Sequence, residues 1–334
     1  MRRLSSLVAS VVVGLVVLAG CGTGPDRTQA AAIVGDTVIP ISEIQSGLRT
    51  AAPDLRVAVD QQGAAQGIAP GAPIPPQLLA QESRRLVTVR VLHELIAEQS
   101  RRDGIVVTPQ RVDAALARAG GAEAAARGSG FDPATIRGLV ADQIAASDIG
   151  RTVFDRLQVT LDYATAPDRA TAEALAGAVA ADPARAPQLF GAVGGTPPAG
   201  LTVRPGQDQG TGLQSSASSL LFGLPAGTVT ITPGRSSSSQ AGGQDPSQGP
   251  WSVVHVRERT LAAPGTPPPP GVTPASAVDD DTMFGFGLRQ LQPLALELGV
   301  TVSPRYGAWD PTQLDVVQDE GSVGVVTPVR SPAP

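Results

Sequence analysis

The stretch LVTVRVLHELIAEQSRRDGIVVTPQRVDAAL, Leu86 to Leu116, decides the class of fold of this 334-residue chain. Between Gln77 and Arg102 the apolar residues recur at steps of three and four, which is the period of an α-helix with one buried face. The apolar side chains of this face are Leu79, Leu86, Val89, Leu92 and Ile96. A second helix starts within the same stretch, so the sequence predicts helices that pack on one another.

Two further helix starts carry capping signals. Thr108 precedes a proline and is predicted to be the N-cap of the second helix, which ends at Gly120. Asp132 precedes another proline and is predicted to cap a third helix, which continues to about Leu157. The residues predicted for the buried side of this third helix are Leu139, Val140, Ile144, Val153 and Phe154. Residues 31–158 are therefore predicted to form one mostly helical module.

This module begins with AAIVGDTVIPISEI, Ala31 to Ile44. Gly35 and Asp36 separate two β-branched runs, which predicts a small hairpin. Ser42 then has the position of a helix N-cap. Residues 57–77 are rich in Ala, Gly, Gln and Pro and are predicted to form a long loop.

The first 20 residues are predicted to be a signal peptide that takes no part in the fold. Two arginines precede an almost wholly apolar run, Leu7 to Ala19, which is too short for a full membrane span. LAGC, Leu18 to Cys21, resembles the lipobox of bacterial lipoproteins, in which the cysteine after the cleavage point is acylated. Cys21 is then the lipidation site, residues 21–30 form a tether, and the chain is expected on the extracytoplasmic face of the cell membrane. The alternative is an unmodified cysteine in an uncleaved signal anchor.

Composition excludes several kinds of partner and site. All 25 basic residues are arginine, the net charge is −5 and no basic patch stands out, so nucleic acid is not an expected partner. A single cysteine cannot form an internal disulfide, and no cluster of metal ligands is visible, so neither a metal nor another cofactor is predicted. Aromatic residues make up 3% of the chain, which argues against an extensive aromatic-lined cleft.

The pattern changes after Leu157 and predicts a second domain. QVTLDYATA indicates a strand, and DRATAEALAGAVAADP indicates a short helix with Ala172, Leu175 and Val179 facing inward. SLLFGLPAGTVTITPG and PWSVVHVRERT show the alternation of strands, separated by a Ser/Gly-rich loop between Arg235 and Gly249. Residues 159–261 are therefore predicted to form a small α+β domain.

The remaining residues are predicted to form a linker, a helix and a tail. Residues 262–280 are rich in proline and predict a semi-rigid linker. Three acidic residues, 279–281, suit the start of a helix around Met283 to Leu298. Residues 312–334 are predicted to be a disordered tail.

The N-terminal sequence resembles the SurA- and PrsA-type extracytoplasmic foldases. AAIVGDTVIPISEI, followed by the stretch from Leu86 to Leu116, is similar in order and spacing to the N-terminal module of that family. Gly35 and Asp36 stand where the family usually has Asn-Gly. VTVSPRYGAWDP, Val300 to Pro311, resembles the tail of SurA-like chaperones. The resemblance implies that residues 281–311, a helix and a strand, return to pack on the N-terminal module.

Residues 159–261 resemble a degenerate parvulin prolyl isomerase domain. Parvulins place one histidine on the opening strand and one on the last strand. The opening strand here has Asp162 and Tyr163 as its candidates, and Ser252 stands at the position of the second histidine. His255 is predicted to face away from Ser252 and into solvent, because side chains alternate along a strand. The resemblance therefore implies no catalytic residue, and Ser252 and Asp162 take such a role only if the isomerase is active.

His93 opens HELIAE, which shares its first residues with the helix of zinc proteases. Ala97 stands where the second histidine of that motif would be, so no zinc site is predicted. His93 is instead predicted to lie at the edge of the helix's apolar stripe.

Together these features predict a lipid-anchored chaperone or foldase-like protein that binds unfolded or secreted polypeptides. Two alternatives stay open. One is an active peptidyl-prolyl isomerase that uses polar groups other than histidine. The other is a non-catalytic adaptor in the cell envelope with one dedicated partner. The sequence does not predict the oligomeric state.

Overall fold

The computed structural model describes residues 29–65, 71–195, 200–208, 212–233 and 250–330. The predicted signal peptide, Cys21 and nearly all of the tether lie outside the described residues, as does the Ser/Gly-rich loop up to Gly249. The described part combines helices with antiparallel sheets, which agrees with the predicted mixture of α and α+β structure.

Ten α-helices and ten strands lie within the described ranges. The helices are α1 Ile41–Ala65, α2 Pro76–Asp103, α3 Pro109–Arg118, α4 Ala122–Ala126, α5 Pro133–Val153, α6 Arg169–Ala181, α7 Ala186–Ala192, α8 Leu213–Ala217, α9 Asp280–Arg289 and α10 Gln292–Leu298. The strands are β1 Ala30–Val34, β2 Thr37–Pro40, β3 Leu157–Ala166, β4 Leu201–Val203, β5 Thr228–Pro233, β6 Trp251–Leu261, β7 Val300–Val302, β8 Ala308–Asp310, β9 Asp315–Val317 and β10 Val325–Pro328.

The predicted N-terminal hairpin is confirmed, and the C-terminal part of the chain adds a third strand to it. β1 and β2 pair antiparallel, and Gly35 makes the turn between them at a φ of 55°. β7 pairs with the other edge of β1, with Ala32 opposite Val302. Ser303 extends this pairing, since its N–H donates to the carbonyl oxygen of Ala31 at 2.9 Å. Residues 300–303 therefore return to the start of the described chain.

The helix starts after Thr108 and Asp132 are where the sequence predicts them. α3 begins directly after Thr108, although the hydroxyl of this residue makes no capping hydrogen bond. Asp132 caps α5 through its carboxylate, which accepts the backbone N–H of Thr135 at 2.8 Å. A proline at the first helical position follows both caps, which explains why these two boundaries could be read from sequence.

Three predicted boundaries in the helical region are wrong. α1 begins at Ile41, so Ser42 is inside the helix and is not its N-cap. The same helix continues to Ala65, through the first part of the predicted 57–77 loop, because its alanines and glutamines are good helix formers. α5 ends at Val153, and Leu157 is already the first residue of β3.

The buried faces of α2 and α5 also differ from the predicted ones. The buried apolar residues of α2 are Leu86, Val87, Val91, Leu95 and Ile96, whereas Val89 and Leu92 are half-buried. On α5 the most buried positions are small residues such as Ala146 and Gly150, because α9 lies directly against them. The larger residues predicted for that side, Leu139, Val140 and Ile144, are half-buried and pack near α3 and α4.

The predicted helix from Met283 to Leu298 is two helices, α9 and α10. Pro293 lacks the N–H that a continuous helix needs, so the chain restarts a helix there. α9 lies between the helices and the large sheet. Its Phe286 ring meets Phe154 at 5.0 Å and Phe222 at 6.1 Å between ring centroids, both edge to face. One apolar core therefore joins the end of α5 to the sheet.

The large sheet has the strand order β10-β5-β6-β3-β4, and all its neighbouring strands are antiparallel. The prediction that residues 312–334 are disordered is wrong, because β10, at one edge of this sheet, belongs to that segment. β10 pairs with β5, with Val326 opposite Thr230, and β9 pairs with β8. Asp310, fully buried, accepts the backbone N–H groups of Thr312 at 2.7 Å and Gly324 at 3.1 Å. Residues 312–330 are therefore part of the folded structure.

The Pro-rich segment 262–280 makes fixed contacts with residues that lie just after β4 and just before β3. The N–H of Thr273 donates to the carbonyl oxygen of Gly206 at 2.8 Å. The N–H of Ala275 donates to the carboxylate of Asp155 at 2.7 Å. At the end of this segment Asp279 caps α9, so the acidic run is a helix start, as predicted.

Candidate functional site

A buried ionic network joins β3 to β6. Asp162 is fully buried, and one of its carboxylate oxygens lies 3.0 Å from Nδ1 of His255, directly opposite it in the strand pairing. Arg257 lies two residues further on the same strand and therefore on the same face. Its Nε donates to the same Asp162 oxygen at 2.8 Å, and its Nη2 donates to the other oxygen.

This network keeps the carboxylate of Asp162 ionised. Burial raises the pKa of Asp162, but the hydrogen bonds from His255 and Arg257 and the charge of Arg257 together hold that pKa below its ordinary value. A general base needs a pKa near the working pH and a position that substrate can reach. Asp162 has neither, so the geometry favours a structural role for it.

The prediction that His255 points into solvent is wrong. Only 5% of His255 is exposed, on the sheet face that α6 and α7 cover. The prediction that His255 faces away from Ser252 is right, since the two residues lie on opposite faces of β6. A buried partner, Asp162, explains how a histidine can lie in the interior.

Ser252 lies in a small cluster of hydroxyl groups on the other face of the sheet. The hydroxyl of Tyr163 is 3.2 Å from that of Ser252 and 3.3 Å from that of Thr165. Tyr163 is exposed, and Thr165, a residue not predicted for this site, lies opposite Ser252 in the pairing of β3 with β6. Ser252 and Asp162, the two residues named for an active isomerase, are thus on opposite faces and share no site.

His93 joins α2 to α5 at the edge of the apolar face, as predicted. Its Nδ1 lies 2.8 and 3.0 Å from the two carboxylate oxygens of Asp142. The hydrogen bond with Asp142 raises the pKa of His93, against partial burial and the nearby Arg90, which lower it. Glu94 adds a smaller contribution that raises it.

Replacing His93 with glutamine is expected to remove a pH-dependent part of the stability. A raised pKa means that the charged pair with Asp142 stabilises the fold fully below about pH 6.5, the ordinary pKa of histidine. This contribution is lost as the pH rises through the raised pKa. Urea unfolding at a series of pH values should therefore show the wild type losing its advantage over His93→Gln toward alkaline pH. Asp142→Asn, which removes the other partner of the pair, is the matched control. A difference in the free energy of unfolding between the wild type and His93→Gln that is the same at every pH would contradict the role of this charged pair.

A cleft opens between the start of α1, the middle of α2 and the segment that leads into α5. Its volume is about 180 Å³. The apolar residues that line it are Ile44, Leu86, Val89 and Phe131. The polar residues around its mouth are Glu43, Ser46, Thr50, Arg90, Asp132 and Thr135. Phe131 is the one aromatic residue among its lining residues.

A larger cavity of about 410 Å³ lies along the N-terminal half of α2. It is bounded by Leu55 of α1, Leu78 and Arg84 of α2, and Asp315 and Val316 of β9. Both concave surfaces therefore lie on α2. The sequence could not show them, because each combines residues from distant segments.

Neither a metal site nor a membrane-spanning helix is found in the part of the chain that the structure describes. Over those residues no group of three or more histidine, cysteine, aspartate and glutamate side chains is placed to hold a metal ion. No described helix has both the length and the apolar character needed to cross a membrane.

Comparison with protein-family models gave no match to this chain, and comparison with curated proteins gave no significant match. The resemblance to the foldases given above therefore stays an expectation from the quoted motifs.

Proposed function

We propose that this protein is a chaperone-like lipoprotein that binds unfolded or secreted polypeptides outside the cytoplasmic membrane. In this proposal Cys21 carries the lipid anchor. The helical region with its returning C-terminal segment is a SurA-like chaperone module, and the large sheet is a parvulin-like domain without isomerase activity.

The observation that carries the proposal is the open cleft on α2. An unfolded segment differs from a folded surface in offering apolar side chains on an extended backbone. The cleft provides such a surface, because the half-buried Val89 and Phe131 line it over the buried Ile44 and Leu86, and its other lining residues are mostly polar. Ligand sites commonly have this combination of an apolar lining and a few polar groups.

Two features of the sheet favour a non-catalytic parvulin-like domain. Ser252 stands at the position where the resembling family has a histidine, and its hydroxyl pairs with the hydroxyl of Tyr163. Asp162 is buried on the opposite face and bonded to Arg257. Because the two residues lie on opposite faces of the sheet and Asp162 is buried in an ion pair, they are not placed to act together on one prolyl bond.

Two assays on the chain from Gly22 onward, which retains every described residue, test the proposal. The protein is expected to suppress the aggregation of an unrelated unfolding protein and to leave the rate of prolyl isomerisation in a short peptide unchanged. Ser252→Ala is expected to behave as the wild type in both assays, because a partly exposed hydroxyl contributes little to stability, about 1 kcal/mol or less.

Other outcomes would support the alternatives. Isomerisation that is abolished in Ser252→Ala would show an active isomerase. Failure to suppress aggregation, together with one specific partner that co-purifies, would support a dedicated adaptor.

A further inference from the structure

The cleft between α1, α2 and Phe131 has the size of one large apolar side chain. Its volume is about 180 Å³. An apolar cavity of about 150 Å³ in another protein binds benzene, so this cleft has room for one phenylalanine or leucine side chain. A longer apolar segment does not fit inside it.

Gly47 packs closely on Leu86, and both residues line the cleft. A Cβ atom at Gly47 would lie 3.0 Å from both terminal methyl carbons of Leu86. A side chain at position 47 would therefore press on Leu86 and change the shape of the cleft.

The wall formed by Phe131 is held in place from two sides. The guanidinium of Arg85 lies over the Phe131 ring, 4.3 Å from its centroid, and Arg85 is itself paired with Glu82. The preceding residue, Gly130, donates its N–H to the carboxylate of Asp54 on α1 at 2.9 Å. The cleft is thus formed in advance, which reduces the entropy lost when a ligand binds.

The charge around the mouth of the cleft is acidic. Glu43 and Asp132 are its two carboxylates, and Arg90 is its one cationic residue. Arg90 forms an ion pair with Glu43 and a second one, at 3.2 Å, with Glu94, so Arg90 and Glu43 compensate each other. The negative charge that remains among the lining residues is that of the exposed Asp132, which complements a basic side chain.

We propose that this cleft binds one aromatic or branched aliphatic side chain of an extended polypeptide, and that it prefers an arginine or lysine next to that side chain. This inference rests on the proposed function and assigns it a site and a preferred sequence. The apolar side chain supplies most of the affinity through its burial, and the basic neighbour supplies selectivity.

The test uses three dye-labelled peptides of equal length, bound to the chain from Gly22 onward and followed by fluorescence anisotropy. Their central pairs are Phe-Arg, Phe-Glu and Ala-Arg. The Phe-Arg peptide is expected to bind tightest, and loss of the phenylalanine is expected to weaken binding by about tenfold or more, which is the value of burying one such side chain. Equal affinity for Phe-Arg and Phe-Glu peptides, or tighter binding of Phe-Glu, would overturn the proposed preference.

Two variants of neighbouring residues on α1 test the location. Ser46 is exposed at the mouth, so the indole of Ser46→Trp should fill the cleft and weaken binding of the Phe-Arg peptide by about tenfold or more. Gln45 is also exposed and does not line the cleft, so Gln45→Trp should bind as the wild type does. Urea unfolding midpoints equal to that of the wild type would establish that both variants are folded. Unchanged binding by a folded Ser46→Trp chain would overturn the site.

A third variant tests the charge. Asp132→Asn keeps a side chain that caps α5 well, so the variant should remain folded. The ratio of its affinities for the Phe-Arg and Phe-Glu peptides should be smaller than that of the wild type.

Failure of the site and failure of the proposed function give different results. If Ser46→Trp still suppresses aggregation as the wild type does, the cleft is not the binding site, and the proposed function then rests on the measured suppression alone. If the wild type binds these peptides without suppressing aggregation, the proposed function fails instead.

Discussion

Replacing Gly287 with alanine is expected to lower the free energy of unfolding by about 3 kcal/mol or more, one of the largest effects of any single methyl group in this chain. A Cβ atom at position 287 would lie 1.8 Å from the carbonyl oxygen of Ala146 on α5. At the same crossing, a Cβ at Gly150 would lie 2.9 Å from the carbonyl oxygen of Met283. Both obstacles are backbone atoms, so the helices must separate to make room.

Separation of α5 from α9 would also affect the core around Phe286, which packs on Phe154 and Phe222. The lost contacts therefore exceed the gain of about 1 kcal/mol that alanine brings to a helix over glycine. Urea unfolding measures the difference in the free energy of unfolding between Gly287→Ala and the wild type.

Gly138→Ala on α5 is the matched control, because nothing lies within 4 Å of a Cβ there. It should stabilise the protein by about 0.5–1 kcal/mol. Equal effects of the two substitutions would contradict the close crossing.

Asp162→Ala is expected to destabilise the protein by about 3–5 kcal/mol, the usual cost of removing one partner from a buried ion pair. The substitution removes the carboxylate that His255 and Arg257 share in the interior of the sheet. Asp168→Ala is the matched control, since this exposed carboxylate caps α6 and its loss should cost about 1 kcal/mol.

The pH dependence of the same network has a defined sign. The pKa of Asp162 is lowered in the folded chain, so its contribution is present above about pH 3.9, the ordinary pKa of aspartate, and is lost as the pH falls through the lowered value. Acid unfolding of the wild type should therefore show a component that is missing in Asp162→Ala. An Asp162→Ala chain as stable as Asp168→Ala would contradict a structural role for Asp162. Loss of an isomerase activity in such a stable chain would place Asp162 in a reactive site.

Local signals carried the parts of the fold that could be predicted from sequence. The turn at Gly35, the cap at Asp132 and the helix from Arg169 depend on residues within a few positions of one another. The strand β6 was visible for the same reason, from its alternating β-branched residues.

Contacts between distant residues decided the parts that could not be predicted. The strand β10 consists of only four residues and is fixed by its pairing with β5, about a hundred positions earlier in the chain. The burial of His255 depends on α6 covering its face and on Asp162 lying opposite. The cleft needs Gly47, Leu86 and Phe131 to meet, and no pattern within any one of those segments records this.

The central claim, that the protein binds unfolded polypeptides, is tested most directly by one calorimetric titration. A disulfide-bonded protein, reduced and alkylated so that it cannot refold, is titrated into the chain from Gly22 onward, and its native form is titrated in parallel. Saturable binding of the alkylated form, with no heat of binding for the native form, is the predicted result. Absence of binding to the alkylated form, or equal binding of both forms, would contradict the claim.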